Sequence, residues 1–159
     1  GNPVQLKGEL PSVGNQAPSF TLTKMDLSDV SLNDFAGKKV VLNIFPSIDT
    51  GICAMSVRKF NAEASNLDNT AVLCVSVDLP FAHKRFCGAE GIENVISVSQ
   101  VRNTEFMDNY GVEMADGPMA GMLARSVVVL NENHEVVHTE LVDDITHEPN
   151  YEAAISALK

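Results

Sequence analysis

The chain has 159 residues, 45% hydrophobic and 20% charged, with eleven basic against twenty-one acidic side chains and a net charge of −10. That length suits one domain with a genuine core, residues 1–159, and the composition is ordinary for a soluble globular protein. The acidic balance without a Lys/Arg cluster argues against a nucleic-acid partner, no apolar run reaches membrane-spanning length, and three cysteines are too few for a disulfide scaffold.

The opening residues "GNPVQLKGEL" lack a basic-then-apolar secretory pattern, so the cytoplasm is expected rather than the periplasm. "SFTLTKMD" and "VSLNDF" read as two short strands around a turn, an N-terminal hairpin. "KKVVLNIF" (38–45) is apolar nearly throughout, as suits a strand covered on both faces. Pro46 ends its pairing because it has no N–H to donate, and Asp49, Thr50 and Gly51 form a turn. From Cys53 the residues Cys53, Val57, Phe60, Ala64 and Leu67 recur at steps of four and three, the core face of a helix, with Ser56, Arg58, Lys59 and Glu63 on the opposite side.

"AVLCVSV" (71–77) is a second buried strand. A short helix follows, opened by Asp78 and Pro80 and closed by a left-handed cap at Gly88. "NVISVS" is a third strand, and "NTEFMDNYG" a helix that Asn103 or Thr104 could cap. "RSVVVLNENHEVVHTELV" reads as a hairpin around "NENH". The last helix takes Pro149 into its first turn and buries Tyr151, Ala154, Ile155 and Leu158. Alternating strands and helices imply parallel pairing with helical crossovers, and the final hairpin adds antiparallel strands. The expected fold is therefore α/β and thioredoxin-like, a central mixed sheet flanked by helices.

Cys53 lies where a strand passes into a helix. A helix N-terminus offers unpaired N–H groups and partial positive charge to a thiolate. That contribution is about 0.3–1 kcal/mol, too little to ionise an ordinary thiol, so a nearby cation is required. Position alone leaves the bland alternative open, since cysteine commonly packs as a small apolar side chain.

Longer stretches add to this. "FPSIDTGICAMSVRKFN" resembles the active-site segment of the peroxiredoxins, a proline, three residues, Thr or Ser, two residues, then cysteine: Pro46, Thr50 and Cys53. "DLPFAHKRFCGAEG" and "DGPMAGMLARSVVVL" resemble one branch, the bacterial thiol peroxidases, atypical two-cysteine peroxiredoxins. The likeness runs over nearly the whole chain and is weaker before Pro18. It implies that Cys53 is the peroxidatic and Cys87 the resolving cysteine, joined in turnover as a redox disulfide. It implies that Thr50 hydrogen-bonds thiolate and peroxide, that Pro46 shields the pocket, and that Arg125 supplies the cation. The implied activity is reduction of hydrogen peroxide and organic hydroperoxides through a sulfenic acid, with recycling by thioredoxin, in a homodimer, with no metal or other cofactor. Local unwinding around both cysteines is expected, helped by the placing of Cys87 at a fraying helix end. Met55 departs from many relatives, which carry a smaller or polar residue there.

Other residues have plainer readings. Cys74, inside a buried strand, is expected to be core packing. His83 and Cys87 stand four apart on a helix, a metal-ligand spacing with no second pair to complete it. His134 and His138 are expected to face solvent. Met114, Met119 and Met122 are expected to fill core gaps, with an apolar lip for bulky hydroperoxides as the functional reading. The competing function is a redox sensor that relays oxidation to a partner protein through the same cysteines. A dithiol oxidoreductase is disfavoured, because no C-x-x-C occurs.

Overall fold

The computed structural model describes residues 2–159. Seven strands form one sheet in the order β2-β1-β5-β4-β3-β6-β7. They are β1 (Thr21–Lys24), β2 (Asp29–Ser31), β3 (Lys39–Ile44), β4 (Thr70–Ser76), β5 (Ile96–Ser99), β6 (Ser126–Leu130) and β7 (Val136–Leu141). The helices are α1 (Gly51–Ala64), α2 (Pro80–Glu90), α3 (Glu105–Tyr110) and α4 (Tyr151–Ser156). β3, β4 and β5 run parallel, joined by α1 and α2 as crossovers, while β1 and β2 on one side and β6 and β7 on the other pair antiparallel. This is the mixed, helix-flanked sheet with an N-terminal hairpin that the alternation implied.

Strand alternation divides the interior into two cores. Val40, Leu42 and Ile44 of β3 pack with Leu73, Val75 and Val128, closed over by Phe106 and Tyr110 of α3. Val41 and Phe45 face the other way, with Val72, Cys74, Val127 and Val129, against Val57 and Phe60 of α1, Phe86 and Cys87 of α2, and Ala154 and Leu158 at the C-terminus. A strand with both faces buried has no room for polar alternation, which is why the sequence of β3 reads as a continuous apolar run. Apart from Lys39 at its start, its polar member is Asn43, which is fully buried and lies beside Cys74 and Val127 in the pairing register.

Several local expectations are corrected. The α2 helix runs through Gly88 and ends at Gly91, which has φ of 66° and donates its N–H to the Cys87 carbonyl. A glycine inside a helix costs only about 1 kcal/mol, and the additional turn lets Glu90 meet Arg58 of α1 at 2.6 Å. Cys87 therefore sits one turn inside the helix and is buried. Ser56 is buried rather than solvent-facing, because Asn43 across the core supplies a partner. Leu67 lies beyond the end of α1, although it still packs against the same core. Neither Asn103 nor Thr104 caps α3, whose N-cap Thr104 has helical dihedrals and no side-chain bond. Pro149 precedes α4, and Asn150 is the N-cap, its side-chain oxygen accepting from the Ala153 N–H. His134 is buried at positive φ in the β6–β7 turn, with its ring bonded to the Phe35 carbonyl.

Candidate active site

The β3 strand ends at Ile44, and its pairing extends one step further as the Phe45 N–H reaches the Val75 carbonyl at 3.1 Å. Buried Pro46 follows, and the chain turns through Ser47–Thr50 into α1. Asp78, just past β4, fixes this loop from beneath. One carboxylate oxygen accepts the Ser47 hydroxyl at 2.8 Å, and the other accepts the Ile48 N–H at 2.8 Å and the Ser76 hydroxyl at 2.6 Å. With its proton committed to Asp78, the Ser47 hydroxyl accepts the Asp49 N–H at 3.1 Å. Thr50 is the N-cap of α1, but its hydroxyl donates to the Ser47 carbonyl at 3.0 Å instead of capping. With that proton committed, its oxygen is left as an acceptor.

Cys53 stands at the third helical position of α1, where backbone N–H groups have no intrahelical acceptor, and it is 0% exposed. Arg125, immediately before β6, donates Nη1–H to the Cys53 sulfur at 3.3 Å and Nη2–H to the Ile145 carbonyl at 2.9 Å. The guanidinium is itself only 3% exposed, and its Nε–H is unpartnered. Among the described residues, no carboxylate lies within ion-pair distance of it. A buried cation needs a compensating charge. An anionic sulfur at position 53 would provide one, in a charge-assisted hydrogen bond.

Beneath the thiol lies a polar pair that the sequence reading missed. Asn43 donates to the Ser56 hydroxyl at 3.1 Å, and Ser56 donates to the Cys53 carbonyl at 2.8 Å. The signal available was a lone Asn in an apolar strand, since buried amides require partners. Cys74 also receives the Asn43 amide, at 3.7 Å, but burial pushes its thiol up to about 12. Cys87 is likewise raised, chiefly by burial, with the Ser97 hydroxyl 3.4 Å from its sulfur pulling the other way. All three cysteines are unbridged. His83 faces Ser76, with no metal-binding cluster around it among the described residues.

A cavity of about 710 Å³ opens beside Arg125, lined by Met114, Met119, Ala124, Ile145 and N-terminal residues including Val4 and Leu6. Met122 is not among its lining residues, and neither is Met55, which is 43% exposed. No helix among the described residues is long and apolar enough to cross a membrane.

A buried thiol at a helix start, bonded to a buried arginine, is an arrangement suited to thiol-based redox chemistry. The family model described as Redoxin matches residues 12–155, and the chain belongs to that family. It is 56% identical over 158 residues to a thiol peroxidase of Corynebacterium glutamicum, covering 99% of this chain and 95% of the relative. A crystal structure of a peroxiredoxin-like protein from Aquifex aeolicus superposes with a TM-score of 0.92 at 36% identity, covering 98% of this chain and 91% of that one. A thiol peroxidase from Chromobacterium violaceum has the same fold, with a TM-score of 0.88 at 19% identity over 96% of this chain and 89% of its own. Within the family the chain falls with the thiol peroxidases of the peroxiredoxin group and is a peroxidase enzyme.

Proposed function

We propose that residues 1–159 act as one catalytic domain that reduces hydrogen peroxide and organic hydroperoxides at Cys53 and is recycled by thioredoxin. The observation that carries this reading is the 3.3 Å bond from buried Arg125 to buried Cys53. The Cys53 thiolate attacks one peroxide oxygen. An S–O bond forms as the O–O bond breaks, and the departing oxygen takes a proton to leave as water or an alcohol. Charge moves from sulfur to oxygen, so the groups needed are donors that follow it. The free Nε–H of Arg125 and the backbone N–H of Cys53 are such donors, while the Thr50 oxygen accepts the substrate's proton. Pro46, buried above the sheet, keeps water from the thiolate.

Cys53 is left as a sulfenic acid. The Cys87 sulfur then attacks it, forming the disulfide and expelling hydroxide, which leaves as water. Both cysteines are buried in the packed enzyme, so the last turn of α2 and the first turn of α1 open for this step. Dithiol exchange with thioredoxin restores both thiols, and the cycle places the protein in the reducing cytoplasm. The Met114 and Met119 side of the cavity receives the organic part of bulky hydroperoxides. A second copy of the chain covers exposed Met55, Leu79 and Phe81 in a homodimer, which sedimentation analysis tests.

One equivalent of peroxide added to the reduced protein is expected to remove a pair of hydrogens by intact mass. Digestion without reductant then yields a Cys53–Cys87 peptide from a single chain. Slow peroxide consumption, unaffected by Cys53→Ser, would sink the reading.

A further inference from the structure

Buried polar groups that a proposed reaction leaves unused require a reason, and His83 is one of them. It sits on α2, one turn before Cys87 on the same face, and is 0% exposed. Its Nε2 lies 3.0 Å from the Ser76 hydroxyl, and its Nδ1 is buried without a partner. The tautomer follows from the Ser76 bonds. The hydroxyl proton goes to the Asp78 carboxylate at 2.6 Å, so toward the ring Ser76 can only accept, and His83 carries its proton on Nε2. A continuous chain of bonds thus runs from α2 through Ser76 to Asp78, and from Asp78 to Ser47 and Ile48 in the loop that delivers Cys53.

We propose that His83 is a positioning residue for the resolving step: its Nε2–H clamps α2, and with it Cys87, to the carboxylate that orders the peroxidatic loop, and its protonation releases that helix. The proposal rests on the reading of Cys87 as the resolving cysteine. Protonation adds a donor at Nδ1, which faces no acceptor in the closed structure. The ring meets Phe45 of the β3 end edge-to-face at 6.3 Å between centroids, an apolar neighbour that gives the charge no relief. The charged groups facing it are Asp78 and Asp49, and Asp49 is already paired with Arg85 of α2 at 2.6 Å. Burial lowers the His83 pKa more than these two carboxylates raise it. The open helix takes up the proton more readily than the closed one. The clamp is therefore complete above the ordinary imidazole value of 6.5 and weakens as pH falls below it.

The test is amide hydrogen exchange of the α2 segment in the reduced enzyme from pH 7.5 to 5.5, corrected for intrinsic exchange, in the wild type and in His83→Gln. A glutamine amide can donate at the Nε2 position but does not titrate. The wild-type opening equilibrium is expected to rise by up to about tenfold over that range, while His83→Gln stays flat. Disulfide formation in a single turnover, taken as the wild-type to His83→Gln ratio so that thiolate content cancels, should follow the same profile. A wild-type α2 whose protection does not change with pH overturns the proposal, whether or not the variant folds. So do identical profiles in the two proteins. If the oxidised wild type contains no Cys53–Cys87 bond, the reading of Cys87 itself is what fails.

Discussion

Cys53 and Cys74 are equally buried, share one core and lie near one asparagine, yet their chemistry differs. Cys74 meets a neutral amide at 3.7 Å, and its thiol is pushed up to about 12, so it keeps its proton at any physiological pH. Cys53 meets a guanidinium at 3.3 Å, with helix-start N–H groups behind it. Burial alone makes a thiol inert. Burial beside a cation that has no carboxylate partner among the described residues is what the proposed nucleophile has and Cys74 lacks. Cys87, on α2, stands between the two, its sulfur 3.4 Å from the neutral Ser97 hydroxyl of β5.

The strongest way to break this contrast is to remove the cation. Arg125→Met is expected to lower the second-order rate with peroxide by about 10²–10³, the usual cost of losing one charge-following donor. Arg125→Lys should recover part of it, keeping the charge but losing the planar fork. Stopped-flow oxidation measures both, and an Arg125→Met rate within a factor of two of wild type would dissolve the distinction between the thiols.

Next in size is Cys87→Ser. One turnover at the normal rate is expected, followed by arrest with thioredoxin and accumulation of sulfinic acid at Cys53, seen by mass spectrometry. Sustained full-rate turnover would remove Cys87 from the cycle.

A smaller effect is expected for Ser56→Ala, which takes from the Asn43 amide its one oxygen acceptor, leaving only the Cys74 sulfur, and frees the Cys53 carbonyl from its side-chain donor. An unsatisfied buried amide costs about 1–3 kcal/mol, a loss of several degrees in the melting temperature for a chain of this size. No change in a thermal melt would mean that the pair does not support the site.

Cys74→Ala should leave turnover at neutral pH unchanged and alter only the alkaline limb of stability. In the folded protein Cys74 keeps its proton up to about 12, whereas an unfolded thiol loses it near 9.0. Folding stability therefore falls as pH rises across that window, by about 1.4 kcal/mol per unit from this group. Denaturant titrations at pH 8 and pH 10 should show a shallower decline in the variant.

The fold was legible because the period of each apolar run announced its element and because β3 was unbroken by charge. The reactive residues came from the resemblance; Arg125 could not have been placed against Cys53 from periodicity, since their meeting depends on β6 pairing with β3. Gly88 and Gly91 are equivalent to a local rule. The helix runs on to Gly91, and there Arg58 of α1 meets Glu90 and the Phe86 ring, contacts between two helices that no local rule reads. Ser56 looked like a surface residue because its partner lies on another element, and His134 because a turn in sequence says nothing about the Phe35 carbonyl waiting beneath it.

The Cys87 carbonyl accepts the N–H groups of both Gly91 and Ile92, so the final hook of α2 hangs from the backbone of the residue proposed to move in the resolving step. If that sulfur moves to Cys53 as proposed, the hook would lose its hold and the tail of the helix would come away as one piece. Reduced and oxidised enzyme would thereby differ in outline as well as in bonding. A reductase gripping the loosened tail would dock on the spent form and let go of the recharged one.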